Sequence, residues 1–188
     1  HLNSHLCNWK HINRDKENFK KKILKKNQPT LPFVTTTLFD SSSLQKISAE
    51  TNINNLCSNV NLLPPIKKKN KNKKIKVGYY SADFRKHATS YLLVRLLELH
   101  DKSKFEIFIF SFIPVKEDEM LMRIKKAANK IIDVNNKTDI EIAKLSRDLK
   151  IDIAVDLMGY TKHNRIKIFA NRCAPIQVNF LGYPGTSG

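Results

Sequence analysis

From Lys76 to the end of the chain, short apolar runs alternate with helical stretches, and this alternation restricts the possible folds more than any other feature. The runs are KVGYYSAD, FEIFIFSF, IIDV, IDIAVDLM and PIQVNFLG. Helical spacing marks the stretches Tyr91 to His100, Met120 to Asn129, Asp139 to Lys150 and His163 to Asn171. Strands separated by helices are too far apart in sequence to pair as hairpins, so a parallel sheet with right-handed crossovers is expected. The nearly continuous apolar character of the runs fits strands covered on both faces. The expected fold class is therefore α/β, a Rossmann-like doubly wound parallel sheet preceded by a short helical segment.

Three divisions follow from the change in pattern along the chain. Residues 1–52 read as a helical segment, with Trp9, Ile12, Phe19, Ile23 and Leu24 on one amphipathic helix from Cys7 to Lys26. LPFVTTTLFD reads as a link, after which Asp40 or Ser41 caps a second helix that turns Leu44, Ile47 and Ala49 inward. Residues 53–74, rich in Asn, Pro and Lys, read as an exposed linker, and residues 75–188 as the sheet domain. The chain opens on His1 rather than Met and stops within the Gly/Pro loop FLGYPGTSG, so it is read as a fragment of a longer protein.

The formal charge of +17 is uneven: residues 1–76 carry 16 basic and 4 acidic side chains, residues 77–188 carry 18 and 13. Most of the basic residues are lysines, which make point charges rather than bidentate forks, and a nucleic-acid partner is disfavoured. Cys7, Cys57 and Cys173 are odd in number and widely spaced, without a C-x-x-C pair, which points to neither a disulfide framework nor a zinc site. With no apolar run long enough to span a membrane, the expected setting is cytoplasmic.

In a doubly wound sheet ligands bind beyond the carboxyl ends of the strands, so the residues that follow each strand carry the functional information. After the first strand comes SADFRKHATS, with Asp83 four residues before His87, then Thr89 and Ser90 at the start of a helix. Asp83 can orient an imidazole, and a helix N-terminus offers N–H groups to an anion. After the fourth strand comes DLMGYTKHNR, where Thr161 fits an ordinary helix cap. The closing loop either cradles a substrate or makes a plain tight turn, with Gly182 and Gly185 free to take positive φ and Pro184 stiffening it. Glu117, Asp118 and Glu119 read as a solvated helix start rather than a metal site. There is no G-x-G-x-x-G, Walker loop or G-x-S-x-G elbow, which argues against common dehydrogenases, NTPases and α/β-hydrolases.

Taken together, KVGYYSADFRKHATSYLL, FEIFIFSF, DIAVDLMGYTKHNRIKIFANRCAPIQVNFLGYPGTSG and the front segments CNWKHINRDKENF and LPFVTTTLFDSSSLQKISAE give the chain a clear likeness. It resembles the O-linked N-acetylglucosamine transferase and SPINDLY family, glycosyltransferase family 41, in its bacterial branch. The resemblance implies the N-terminal lobe of a GT-B glycosyltransferase, usually preceded by tetratricopeptide repeats, that moves a sugar with inversion from a nucleotide donor to Ser or Thr hydroxyls of proteins. It implies no metal and no cofactor. On the same basis His87 matches the active-site histidine of the family's D-F-x-x-H motif, and Asp83 its acidic companion. Ala88 replaces a proline common in animal members, Thr89 keeps the next position, and Leu181 and Gly182 match the loop near the donor's diphosphate and sugar, continued by Tyr183, Pro184 and Gly185. A second, upstream histidine of the animal enzymes has no counterpart in QPTLPFVTT.

The implied partners are UDP-GlcNAc, acceptor proteins with Ser or Thr, and a C-terminal catalytic lobe that residues 1–188 lack, so the chain alone is expected not to turn over. The plant branch shares these motifs and makes protein O-fucosylation from GDP-fucose the alternative within the class. A noncatalytic module that binds protein, or nucleic acid through residues 67–76, is the alternative outside it.

Overall fold

The computed structural model describes residues 6–58, 62–66, 73–114 and 116–188. The chain divides into two compact units, one of residues 1–59 with 184–188 and the other of residues 60–183. Residues 67–72 of the run KKKNKNKK, which spans 67–74, lie outside the described residues.

The second unit holds the sheet. Its elements run β1 (Ile75–Ser81), α4 (Ala88–Leu99), β2 (Phe105–Ser111), α5 (Glu119–Ala127), β3 (Lys130–Asp133), α6 (Asp139–Asp148), β4 (Ile153–Asp156), α7 (Lys167–Ala170) and β5 (Ile176–Asn179). All pairings are parallel and the strand order is β3-β2-β1-β4-β5, with Val77 opposite Ile107 on one side and Ile153 on the other. The expected doubly wound fold is present, and its order reverses between β1 and β4, the place where such sheets bind ligands.

Alternation along the strands supplies two cores. Tyr80, Phe108, Phe110 and Ala154 point to one face with Ile142, Ala143 and Ile168. Val77, Tyr79, Ile107 and Ile109 point to the other with Leu93, Leu97, Met120 and Ile124. Helices α4 and α5 therefore cover one face, α6 and α7 the opposite one, as right-handed crossovers require. The edge strands depart from the expected continuous burial, since Ile176 and Val178 of β5 are exposed. An edge strand has a neighbour on one side only, and its apolar residues are correspondingly less covered.

The other unit is helical: α1 (Ile12–Leu24), α2 (Pro32–Leu38) and α3 (Ser42–Cys57). Helix α1 is shorter than the spacing predicts, because Trp9 precedes it and is exposed, and Leu24 is exposed as well; Ile23 alone is fully buried on it. The stretch expected to be a link is instead a helix. Pro32 occupies its first turn, where a missing N–H costs nothing. Buried Thr35 bonds the Ser48 hydroxyl at 2.9 Å, while Thr36 and Thr37 donate back to the Phe33 and Val34 carbonyls. Ser41 caps α3 as expected, and that helix continues to Cys57, beyond the predicted start of the linker.

Candidate active site

The loop between β1 and α4 is held from three sides. Asp83 N–H donates to the Ser81 hydroxyl at 2.9 Å, and Ser90 Oγ donates to the Asp83 carbonyl. From the neighbouring helix, the Asp118 carboxylate accepts from the Lys86 N–H at 2.7 Å and from the Leu121 N–H at 2.8 Å. One carboxylate thus caps α5 and anchors the His87 loop, and these backbone bonds hold its carboxyl below the usual aspartate range. The sequence places Asp118 in a solvated helix start; its role as the cap and its reach to Lys86, 32 residues away in the chain, were not legible there.

His87 is the N-cap of α4. Its Nδ1 accepts from the Thr89 N–H at 3.3 Å and lies 3.5 Å from Asp83 Oδ2. The Thr89 bond places the proton of the neutral ring on Nε2. A proton on Nδ1 would instead turn that nitrogen toward Asp83, in exchange for the cap bond. Asp83 is largely buried, with Arg85 3.6 Å from its other oxygen, whereas the His87 side chain is 41% exposed. Ala88 is exposed and Thr89 half-buried in the first turn.

At the end of β4, Asp156 is buried, and its Oδ1 accepts from the N–H groups of Met158 at 2.9 Å and Gly159 at 3.2 Å. Burial raises its carboxyl above the usual range, while those two bonds pull in the opposite direction. Met158 also ties β4 to β1, since the Ser81 hydroxyl donates to its Sδ at 3.1 Å. Thr161 does not cap a helix directly. It closes a turn on the Met158 carbonyl, and α7 begins only at Lys167, after His163 in left-handed backbone (φ 64°).

In the closing loop positive φ falls on Leu181 (71°) and Gly188 (94°), and not on Gly182 or Gly185. Gly182 is needed for space instead, because a Cβ there would stand 1.8 Å from the Leu157 carbonyl oxygen. A left-handed leucine costs about 1–2 kcal/mol and persists only where its surroundings impose it. Tyr183 is buried edge-on against Tyr160, with centroids 5.4 Å apart. Pro184 and Gly185 belong to the helical unit, the first exposed and the second half-buried. The structure thus brings Asp83, His87, Ala88 and Thr89 together in one loop, and Leu181, Gly182 and Tyr183 in another, at the carboxyl edge of β1-β4-β5.

Among the described residues no group of three or more His, Cys, Asp or Glu side chains is placed to hold a metal ion. Glu117 and Glu119 pair with Lys125 and Lys86 beside the Asp118 cap, as a solvated helix start should. No described helix is long and apolar enough to cross a membrane.

A doubly wound parallel sheet with polar loops gathered at its switch point defines an α/β domain of the Rossmann-like type. Comparison with known proteins narrows this: the profile described as Glycosyl transferase family 41 matches residues 20–188, and the chain belongs to that family. A relative from Arabidopsis thaliana, named probable UDP-N-acetylglucosamine–peptide N-acetylglucosaminyltransferase SEC, is 36% identical over 66% of this chain and 13% of its own length. The Arabidopsis thaliana protein with the corresponding name SPINDLY is 36% identical over 61% of this chain and 13% of its own. The Caenorhabditis elegans UDP-N-acetylglucosamine–peptide N-acetylglucosaminyltransferase is 35% identical over 61% of this chain and 10% of its own. A solved structure of a mutant Thermobaculum terrenum O-GlcNAc transferase superposes with a TM-score of 0.56 and 34% identity, over 58% of this chain and 21% of the other. The chain thus spans only about an eighth of the length of the first two relatives.

Proposed function

We propose that this chain is part of an inverting protein O-glycosyltransferase that transfers GlcNAc from UDP-GlcNAc to Ser or Thr hydroxyls of proteins. The observation that supports this reading most strongly is the D-F-x-x-H loop, in which His87 caps α4 at the switch point of the sheet with Asp83 beside it. In the proposed reaction an acceptor hydroxyl attacks the anomeric carbon from the face opposite the diphosphate. The new C–O bond forms as the bond to the diphosphate breaks, and the hydroxyl proton passes to a base or to water. His87 sits near that hydroxyl or the sugar, with Ala88 and Thr89 beside it. As capped here the ring offers Nε2–H as a donor, and acceptance of a proton at Nε2 requires the Nδ1–H form directed at Asp83. Leu181 and Gly182 approach the donor, and a second lobe completes the cleft, so residues 1–188 alone do not transfer sugar.

The test is peptide glycosylation by the complete reading frame, offered UDP-GlcNAc and GDP-fucose in parallel, beside its His87→Ala variant and the isolated chain. GlcNAc transfer that falls at least a hundredfold in the variant and is absent from the isolated chain is expected. Fucose transfer would replace the donor assignment, and an unchanged rate in the variant would remove His87 from the site.

A further inference from the structure

The loops that leave β4 and β5 interlock, and the interlock depends on two absent side chains. Gly159 has left-handed backbone (φ 53°), and a Cβ there would lie 2.4 Å from the Tyr183 Cβ and 2.7 Å from its ring. Gly182 answers from the other loop, pressed against the Leu157 carbonyl where no Cβ would fit. Hydrogen bonds on Asp156 run in parallel: the Phe180 N–H donates to its backbone carbonyl at 2.9 Å, while its carboxylate accepts from the Gly159 N–H. Asn179 reaches the Tyr183 carbonyl at 3.3 Å, and the Gly182 N–H closes a tight turn on the Phe180 carbonyl at 2.9 Å. Leu181 lies at the centre of that turn, in a conformation that no residue of its type adopts unaided.

We propose that Gly159 is a positioning residue, which seats Tyr183 and thereby sets the left-handed Leu181 turn that faces a bound nucleotide-sugar. This inference rests on the function proposed above. Gly159 packs against Tyr183, and its effect passes through the ring packed over it. Any side chain at 159 pushes Tyr183 outward, and the 180–183 backbone moves with it because its bonds to Asp156 and Asn179 are short-range and directional. Loss of global stability lowers the active fraction and leaves KM alone, whereas a displaced turn changes the donor KM itself.

The experiment compares Gly159→Ala, Tyr183→Gly and the double variant in the complete reading frame. Gly159→Ala is expected to raise the donor KM at least tenfold with the acceptor KM within twofold of wild type. In the Tyr183→Gly background, where the obstructing atoms are gone, the same change is expected to add no more than twofold. A donor KM unchanged by Gly159→Ala, or raised equally in both backgrounds, overturns the proposal. Hydrogen exchange separates this result from failure of the functional reading. If the complete protein transfers no sugar, exchange of the Phe180 and Gly182 amides in Gly159→Ala must still quicken at least tenfold while Tyr79 and Ile109 keep their rates; no such change overturns the interlock. Should Gly159→Ala fail to fold, Tyr183→Leu, which keeps the Cβ and loses the ring, must show the same donor KM and exchange effects.

Discussion

His87 holds two positions at once, as the cap of a twelve-residue helix and as the exposed imidazole at the switch point. The two can be separated by substitution. Asn keeps a side-chain acceptor for the Thr89 N–H and removes the ring, whereas Ala removes both. His87→Ala is expected to lose about 0.5–1 kcal/mol in urea unfolding, and His87→Asn less than half of that, while sugar transfer by the complete protein falls in both. Equal stability of the two variants would show that the cap bond contributes nothing. The motif was legible at the level of residue types, since D-F-x-x-H stands in the chain as written. That Nδ1 faces both Thr89 and Asp83 was not legible, because it depends on the χ angles of one side chain and on where α4 begins.

Among the elements, α6 shows how far local chemistry alone can set a boundary. Thr138 and Glu141 form a complete capping box: the Glu141 N–H donates to Thr138 Oγ1, and Glu141 Oε2 accepts from the Thr138 N–H at 2.7 Å. Thr138→Ala is expected to cost about 1 kcal/mol in denaturant unfolding. The same bonds hold the Glu141 carboxyl below its ordinary value, and the Asp118 carboxyl at the start of α5 is lowered likewise. A carboxyl that titrates lower when folded adds stability that is whole above the unfolded value and is lost as pH falls through the folded one. Unfolding at a series of pH values should therefore show stability declining below the ordinary carboxylate range, with a shallower decline in Glu141→Gln. Helix α2 is the contrary case. Val34 and three consecutive threonines have low intrinsic helix propensity, and the helix forms because Pro32 starts it and buried Thr35 finds Ser48 on α3. A contact 13 residues away in sequence decided what local preference did not.

Over the whole molecule, burial decides the chemistry of the three free cysteines. Cys7 is exposed and Cys57 half-buried, but Cys173 is fully enclosed, its thiol against Gln177 Oε1 at 3.4 Å and pushed up to about 12 by burial. A thiol-disulfide reagent at neutral pH is expected to label Cys7 in the native chain and Cys173 only on unfolding. Peptide mapping of the labelled protein checks this, and rapid labelling of native Cys173 would contradict the packing around it. Nothing in the spacing of the cysteines distinguished these three environments.

The sequence by itself determined the sheet. Five apolar runs separated by helical stretches admit few arrangements, because crossovers are right-handed and each amphipathic helix must cover apolar strand surface. It also determined which loops reach the carboxyl edge, and with them Asp83 and His87. Only the tertiary structure decided which of those loops touch. The sequence points to Gly182 and Gly185 for positive φ in the closing loop, yet at that turn the conformation falls on Leu181, and Gly182 is present because the Leu157 carbonyl leaves no room for a side chain. Local chemistry states what a backbone prefers; whether another segment presses against it depends on residues that neighbour it only after folding.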